Sequence, residues 1–168
     1  MAITIDGTGT ISGVSATGLT TAQTVTQSAI ATGVAGTGPA FSAYQSSVQT
    51  LSSVTNTKIL FQTEEFDTNN NFANSTFTPT VAGYYQVSAS IRVNSSSTTI
   101  RMMIWKNGSQ YKIGTDVNTY VNNGLVTTLV YCNGTTDYIE AYALIGTGQV
   151  LAAEQASTWF NGSMTRAA

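Results

Sequence analysis

The side chains that usually perform acid–base or nucleophilic chemistry are scarce in this sequence. Its 168 residues include no histidine, which excludes histidine-based catalytic triads and most transition-metal sites. Glu64 and Glu65 are adjacent, and on a strand adjacent residues point to opposite faces, so they make a poor acid–base pair. The glycine clusters GTGTISG and GVAGTG match neither dinucleotide-binding nor phosphate-binding spacing. The sequence therefore predicts a protein that is not an enzyme.

The single cysteine, Cys132, excludes a framework of intrachain disulfide bonds. It ends the apolar run LVTTLVYC, where a thiol is more often an inert buried side chain than a reactive nucleophile. We therefore expect Cys132 to be buried and structural.

The low charge content narrows the classes of partner. Charged residues make up 8% of the chain, so its solubility rests on neutral hydroxyls and amides, a surface that is desolvated cheaply in assembly. A net charge of −2 and scattered basic residues argue against nucleic acid. No apolar run approaches the about 18 residues of a membrane span, and the amino terminus has neither a positive start nor an apolar block. We therefore expect no membrane partner and no secretory signal.

Residues 1–38 differ in composition from the rest and are predicted to form an extended anchoring arm. They contain no lysine, arginine or aromatic residue, and Asp6 is their single acid. The segment ITIDGTGTIS predicts a small hairpin whose apolar contacts come from Ile3, Ile5 and Ile11. Such an arm cannot bury enough apolar surface to fold alone, so we expect a partner protein to order it.

Residues 39–168 are predicted to form an all-β domain. The segment GYYQVSASIRV alternates between apolar and polar residues, as a half-buried strand does. Asn107-Gly108, Asn123-Gly124 and Asn133-Gly134 are predicted turns, because Asn-Gly supplies the positive φ angles of tight hairpins. Strands at this spacing, with two prolines and no long amphipathic helix, indicate an antiparallel sandwich.

Several of these strands are apolar on both faces. Over residues 138–145, alternate isoleucines and alanines can fill the core and leave Tyr138 and Tyr142 outside. Met103 and Trp105 likewise share an outer face. A sandwich strand is normally polar on that face, so a loop, an extra strand or a second subunit must cover these side chains. Aromatic outer faces favour the subunit interface.

Aromatic and glycine residues in the β-region resemble a family signature. The chain reads Phe, five residues, Asp67, four residues, Phe, four residues, Phe, five residues, Gly, one residue, Tyr. A Pro-Ala-Phe-Ser-Ala stretch precedes this pattern at 39–43, and Phe-Asn-Gly follows it at 160–162. Over residues 39–165 the sequence is similar to the complement C1q globular-head family of tumour-necrosis-factor-like proteins, which implies an antiparallel jelly-roll sandwich. The signature residues are Phe41, Phe61, Phe72, Phe77, Gly83, Tyr85, Phe160 and Gly162.

The phenylalanines between residues 61 and 77 are spaced five, six and five apart, which fits neither a helix face nor an alternating strand. In a jelly roll this segment would cross the sheet edge in short polar pieces. We expect each of the four rings to pin one crossing to the core, for about 2 kcal/mol apiece. The four are Phe61, Phe66, Phe72 and Phe77.

The resemblance also implies a compact homotrimer, packed about a threefold axis through one aromatic-rich sheet face. The residues expected at this interface are Tyr84, Met103, Trp105, Tyr138 and Tyr142. Some family members hold calcium near the trimer apex, and Asp67, Asp116 and Asp137 are the hard ligands available here. Isolated acids in loops are more often solvated, so we expect no cofactor.

These features together predict a structural protein of a bacteriophage virion. A trimeric C1q-like head, a polar arm without a signal and a charge-poor chain are typical of capsid decoration (cement) proteins and head fibres. We expect residues 1–38 to bind the major capsid protein or another virion protein by strand addition, three copies at once. The chain would be synthesised in the host cytoplasm and displayed on the particle surface.

Two other functions fit the same sequence. The first is a tail-fibre tip or host receptor-binding module in which Tyr111, Tyr120 and Trp159 stack on surface glycans. Packing within the sandwich or the trimer is the simpler explanation for each of these rings. The second is a bacterial adhesion or signalling module outside any virus.

Overall fold

The computed structural model describes residues 4–5, 11–12 and 38–168, apart from residues 98 and 120, and it describes residues 4–5, 11–12 and 96 through their backbone alone. The chain divides into two units, residues 1–32 and 33–168. All regular structure in the described residues is β-strand. Within those residues there is no helix long and apolar enough to cross a membrane.

The first unit contains one antiparallel strand pair, β1 (Thr4–Ile5) and β2 (Ile11–Ser12). Ile5 lies opposite Ile11 in the ladder, as the hairpin prediction for ITIDGTGTIS requires. Ile3 and most of the predicted arm lie outside the described residues. The anchoring role of Ile3, Ile5 and Ile11 stays a prediction.

The second unit is an antiparallel β-sandwich. Its strands in chain order are β3 (Ala40–Tyr44), β4 (Thr50–Leu51), β5 (Thr57–Lys58), β6 (Thr63–Asp67), β7 (Phe72–Ala73), β8 (Thr76–Phe77), β9 (Ala82–Ser97), β10 (Ile100–Lys106), β11 (Ser109–Val117), β12 (Val121–Asn133), β13 (Ile139–Ile145), β14 (Gln149–Val150) and β15 (Trp159–Ala167). A five-stranded sheet has the order β12-β9-β15-β3-β6. A six-stranded sheet has the order β11-β10-β13-β8-β7, with β5 also paired to β13. The predicted sandwich is confirmed.

One hydrophobic core lies between the two sheets, and alternation along the strands fills it. Every second residue from Tyr85 to Val93 of β9, and every second residue of β13, is at most 1% exposed, as the sequence pattern predicts. These residues are Tyr85, Val87, Ala89, Ile91 and Val93 on β9, and Ile139, Ala141, Ala143 and Ile145 on β13.

The predicted phenylalanine signature forms a connected aromatic cluster inside this core. Phe41 stacks on Phe72 and on Phe77, with ring centroids 4.7 Å and 4.4 Å away. Phe160 meets Phe41 edge-on at 4.9 Å and contacts Phe61 at 5.6 Å. The segment from residue 61 to 77 is thus tied through its rings to β3 and β15.

The expectation for Phe66 is wrong, because this ring is 51% exposed. Ser42 pairs with Phe66 whereas Ala43 pairs with Glu64, so β6 carries one extra residue at this point. Such a bulge shifts the alternation of the strand by one residue and turns the ring away from the core. Phe66 therefore lies on the outer face of the five-stranded sheet.

Two of the three predicted Asn-Gly turns are confirmed. Asn107 and Gly108 have φ angles of 52° and 75°, and Gly134 has a φ angle of 73°. The turn expected at Asn123-Gly124 is wrong, because both residues lie within β12 and pair with β9. A Cβ atom at Gly124 would lie 2.7 Å from Cγ2 of Ile100, so this glycine permits a close approach of the two sheets.

Candidate assembly surface

The outer face of the five-stranded sheet carries an exposed apolar row along β12. Leu125, Leu129 and Tyr131 are 47%, 48% and 42% exposed, and they alternate with buried residues that fill the core. We call these three residues the β12 row. Because the side chains of a strand alternate between faces, all three project from the same side of the sheet.

Neighbouring side chains extend and support the β12 row. Tyr84 of β9 lies directly opposite Tyr131, with the two ring centroids 5.5 Å apart. The ammonium of Lys106 lies 5.7 Å from the centroid of the Tyr131 ring. The hydroxyl of Tyr111 donates to the Leu129 carbonyl oxygen at 3.4 Å. The row and Tyr84 thus form an aliphatic and aromatic strip on this face, which polar Thr127 interrupts between Leu125 and Leu129.

Beside the row, the same sheet face is mostly polar, and it carries two exposed arginines, Arg92 on β9 and Arg166 opposite Tyr84. Nε2 of Gln86 donates to Oγ1 of Thr127 at 2.8 Å, and the Ser88 hydroxyl lies 2.7 Å from the same atom. Further across the sheet is an open depression of about 270 Å³, lined by Ala40, Phe41, Ser42, Phe66, Gln86, Ser88, Asn161, Gly162 and Ser163. Hydroxyls and amides of this kind cost less to desolvate than charges.

Arg92, Glu154 and Glu65 on this side of the molecule have intramolecular partners, whereas Arg166 is exposed opposite Tyr84. Arg92 pairs with Glu154 at 3.0 Å. The Ser42 hydroxyl donates to Oε2 of Glu65 at 2.5 Å, and the Gln155 amide donates to Oε1. These two hydrogen bonds, that of Ser42 first, hold the pKa of Glu65 below its ordinary value.

The five predicted interface residues do not share one surface. Tyr84 lies on the five-stranded sheet, whereas Met103, Trp105 and Tyr142 lie on strands of the six-stranded sheet, and Tyr138 directly precedes β13. The expectation that a single sheet face presents all five is therefore wrong. The interface role of Tyr84 stays a prediction.

Met103 is also buried, which removes it from any free surface. It is 0% exposed although it is not part of the core cluster between the sheets. Its cross-strand neighbours are Tyr142 and Ile113, and Trp105 stacks on Tyr142 with ring centroids 4.0 Å apart. Met103 is thus shielded on the outer face by side chains of its own sheet.

Of the aromatic residues considered for glycan stacking, the two that the structure describes lie on strands of different sheets. Tyr111 lies on β11 and is 40% exposed, whereas Trp159 is half-buried on β15 opposite Ser90. Tyr120 lies outside the described residues. A joint sugar site of these three rings gains no support from their placement.

The aspartates considered for calcium are separated, and each has its own partner. Asp67 accepts from the backbone N–H of Phe72 at 2.7 Å. Asp116 pairs with Arg101 at 3.0 Å, and Asp137 pairs with Lys106 at 2.8 Å. Within the described ranges, no three carboxylate, thiol or imidazole groups converge on a common point. The suggested ligand set is therefore not assembled.

Cys132 lies in the core with no exposed surface. Burial raises the pKa of its thiol to about 12, so the thiolate that nucleophilic chemistry requires is suppressed at neutral pH. The predicted burial of the Cys132 thiol is confirmed.

Sequence reasoning missed the β12 row, although a signal was present. The run LVTTLVYC is apolar on both faces, because buried Val126 and Val130 alternate with exposed Leu125 and Leu129. The same double-sided pattern drew attention to the strands at 102–105 and 138–145. On β12 the apolar character was assigned to the core alone.

Comparison by sequence finds no matching family model and no curated relative. Comparison by structure finds murine APRIL, with a TM-score of 0.59 and 10% identity over 75% of this chain and 98% of that one. The globular domain of zebrafish complement 1qA has a TM-score of 0.53 and 15% identity over 78% and 100% of the two chains. Vertex protein P5 of PRD1 has a TM-score of 0.56 and 12% identity over 75% and 72%. The sandwich therefore has the jelly-roll fold of tumour-necrosis-factor-like and complement C1q globular domains, as its aromatic and glycine signature predicts.

Proposed function

We propose that this chain is a non-enzymatic structural protein of a bacteriophage particle. In this proposal it forms a homotrimeric surface knob anchored through residues 1–38, as a capsid decoration protein or head fibre. The observation that carries the proposal is the exposed β12 row, with Tyr84 beside it, on the outer face of the five-stranded sheet. The fold of phage PRD1 vertex protein P5 supports the placement on a particle.

The composition of the assembly surface supports self-association. Single exposed apolar residues are normal on a protein surface, but several exposed aliphatic and aromatic side chains on one sheet face are typical of interfaces. Completing the burial of a side chain that is already half-buried stabilises an interface by roughly 1 kcal/mol. Each copy contributes four such side chains to the contact, which are Leu125, Leu129, Tyr131 and Tyr84. Their combined burial therefore favours association.

The positions of the β12 row and the depression suggest how contacts between copies could form a closed ring. The β12 row lies on the edge strand of the five-stranded sheet, and the depression lies toward the opposite edge, between β9, β3 and β6. A copy that seats its row over the depression of its neighbour makes a head-to-tail contact, and such contacts form rings when the rotation closes. That the ring contains three subunits is inferred from the resemblance to the C1q and tumour-necrosis-factor-like family.

Attachment through the arm is tested with particles that lack this chain. The full chain and a variant without residues 1–38 are added to such particles of the encoding virus, and bound protein is measured after sedimentation. We expect the full chain to attach and the shortened knob to remain in solution, because three arms engage together. Attachment of both forms, or binding of the full chain to host cells instead of particles, contradicts the proposal.

A further inference from the structure

The outer face of the six-stranded sheet carries an aromatic platform that the proposed assembly does not use. Trp105 of β10 and Tyr142 of β13 stack with ring centroids 4.0 Å apart and an interplanar angle of 15°. Both side chains are half-buried, so part of each ring faces solvent. We call this pair the Trp105–Tyr142 platform.

A nearly buried ion pair lies directly beside the platform. Lys58 lies opposite Tyr142 in the ladder and Glu140 lies opposite Trp105, which brings both charges next to the rings. Nζ of Lys58 is 2.6 Å from Oε1 of Glu140, and the two side chains are 26% and 12% exposed. Nζ also donates to the Thr76 hydroxyl at 2.6 Å, and that hydroxyl donates to Oε1 of Glu140 at 3.1 Å.

This cluster retains hydrogen-bonding capacity that its internal contacts do not use. An ammonium carries three N–H donors, and in the described part of the chain Lys58 uses two of them. Both bonds to Glu140 there end on Oε1, which leaves Oε2 as an acceptor. A donor and an acceptor thus lie together at the edge of an aromatic surface.

A purely structural role explains only part of this arrangement. The ion pair ties β5 and β8 to β13, but apolar side chains of similar volume usually hold strands at least as well, because two charges need not then be desolvated. Such a role also leaves Oε2 of Glu140 and the third N–H of Lys58 without a partner among the described residues. A few polar groups beside an apolar surface are typical of small-molecule sites.

We propose that the Trp105–Tyr142 platform, with Lys58 and Glu140, binds a neutral pyranose sugar. The apolar C–H face of the sugar ring packs on the exposed aromatic surface, while Oε2 of Glu140 accepts from one hydroxyl and Lys58 donates to its neighbour. The two charges cancel, which favours a neutral saccharide over an anionic one. This site does not depend on the proposed assembly, since it lies on the other sheet.

The proposal is tested by saturation-transfer NMR with the full chain. The probes are methyl α-mannopyranoside, methyl α-glucopyranoside and methyl β-galactopyranoside, each at millimolar concentration. We expect at least one of them to receive saturation from the protein. The double variant K58M/E140L should weaken binding of that sugar by about tenfold or more, because two charge-assisted hydrogen bonds are lost while the strands stay packed.

Two further variants make the result specific. Trp105→Ala should abolish saturation transfer, whereas Trp159→Phe, on the other sheet, should leave it unchanged. The proposal is overturned if the native chain transfers no saturation to any of the three sugars, or if folded K58M/E140L transfers as much as the native chain. It is also overturned if Trp105→Ala changes the oligomeric mass but not the sugar signal, since the platform is then a protein contact.

Discussion

At Gly83 the space around a single α-carbon is limited by the backbone of another strand. A Cβ atom there would lie 2.5 Å from the carbonyl oxygen of Arg166 on β15. We expect Gly83→Ala to lower the free energy of unfolding by about 1 to 3 kcal/mol, because β15 must shift to relieve the overlap. Gly148→Ala is the matched control, since its nearest backbone atom would be 3.5 Å away. Equal unfolding midpoints for the two variants in urea would contradict the packing described here.

Asp137 stabilises the fold in a pH-dependent way. A hydrogen bond from Lys106, assisted by bonds from Asn107 and from the Asn133 backbone, holds the pKa of Asp137 below its ordinary value of 3.8. The stabilisation is therefore complete above the unfolded-state pKa and is lost as the pH falls through the lower folded-state pKa. We expect Asp137→Asn to cost about 1 to 3 kcal/mol near pH 7.

The pH dependence of the unfolding free energy distinguishes loss of the Asp137 carboxylate charge from a general destabilisation of the fold. The difference in unfolding free energy between Asp137→Asn and the native chain should narrow as the pH is lowered from about 6 toward about 3. Asp116→Asn, which breaks an ion pair that is 38% and 37% exposed, should cost less than about 1 kcal/mol. A difference for Asp137→Asn that stays constant over this range would show that its carboxylate charge is unimportant.

Among the strand elements, regular alternation is what the sequence predicts best. The core residues of β9 and β13 follow from a period of two, and the hairpin at Asn107-Gly108 follows from its residue types. The failures occur where one residue breaks the pattern. The extra residue in β6 and the close contact at Gly124 depend on the neighbouring strand or sheet, and a single sequence does not reveal either.

Because of the bulge in β6, two phenylalanines of the same segment differ in burial. Phe72 is 4% exposed and stacks on Phe41, whereas Phe66 is 51% exposed. We expect Phe72→Ala to lower the free energy of unfolding by about 3 to 5 kcal/mol and Phe66→Ala to change it by less than about 1 kcal/mol. Urea unfolding is measured at a protein concentration low enough to dissociate any assembly. Similar losses for both variants would place Phe66 in the core.

For the molecule as a whole, the aromatic signature was sufficient to predict the fold but not the assembly surface. The signature rings converge in the core, where burial constrains residue type strongly. The candidate interface residues were selected from strands with two apolar faces, and the structure divides them between two sheets. Which outer face is free depends on how the sheets pack, and the alternation along one strand does not contain that information.

A pair of matched substitutions tests which of the two outer sheet faces forms the trimer interface. Leu129 of the five-stranded sheet is 48% exposed, and Ile113 of the six-stranded sheet is 42% exposed. We expect Leu129→Lys to dissociate the trimer, because it buries an unpaired charge at the interface, and Ile113→Lys to leave the trimer intact. Sedimentation velocity measures both. Dissociation by Ile113→Lys alone would move the interface to the other sheet.

The most direct measurement is the native mass of the full chain in solution. A self-associating knob built on the outer face of the five-stranded sheet predicts a single species at three times the chain mass of 17.6 kDa. That species should persist at micromolar concentration and at high salt, because the contacts proposed for it are mainly apolar. A stable species of 17.6 kDa under the same conditions would contradict the assembly and the function proposed from it.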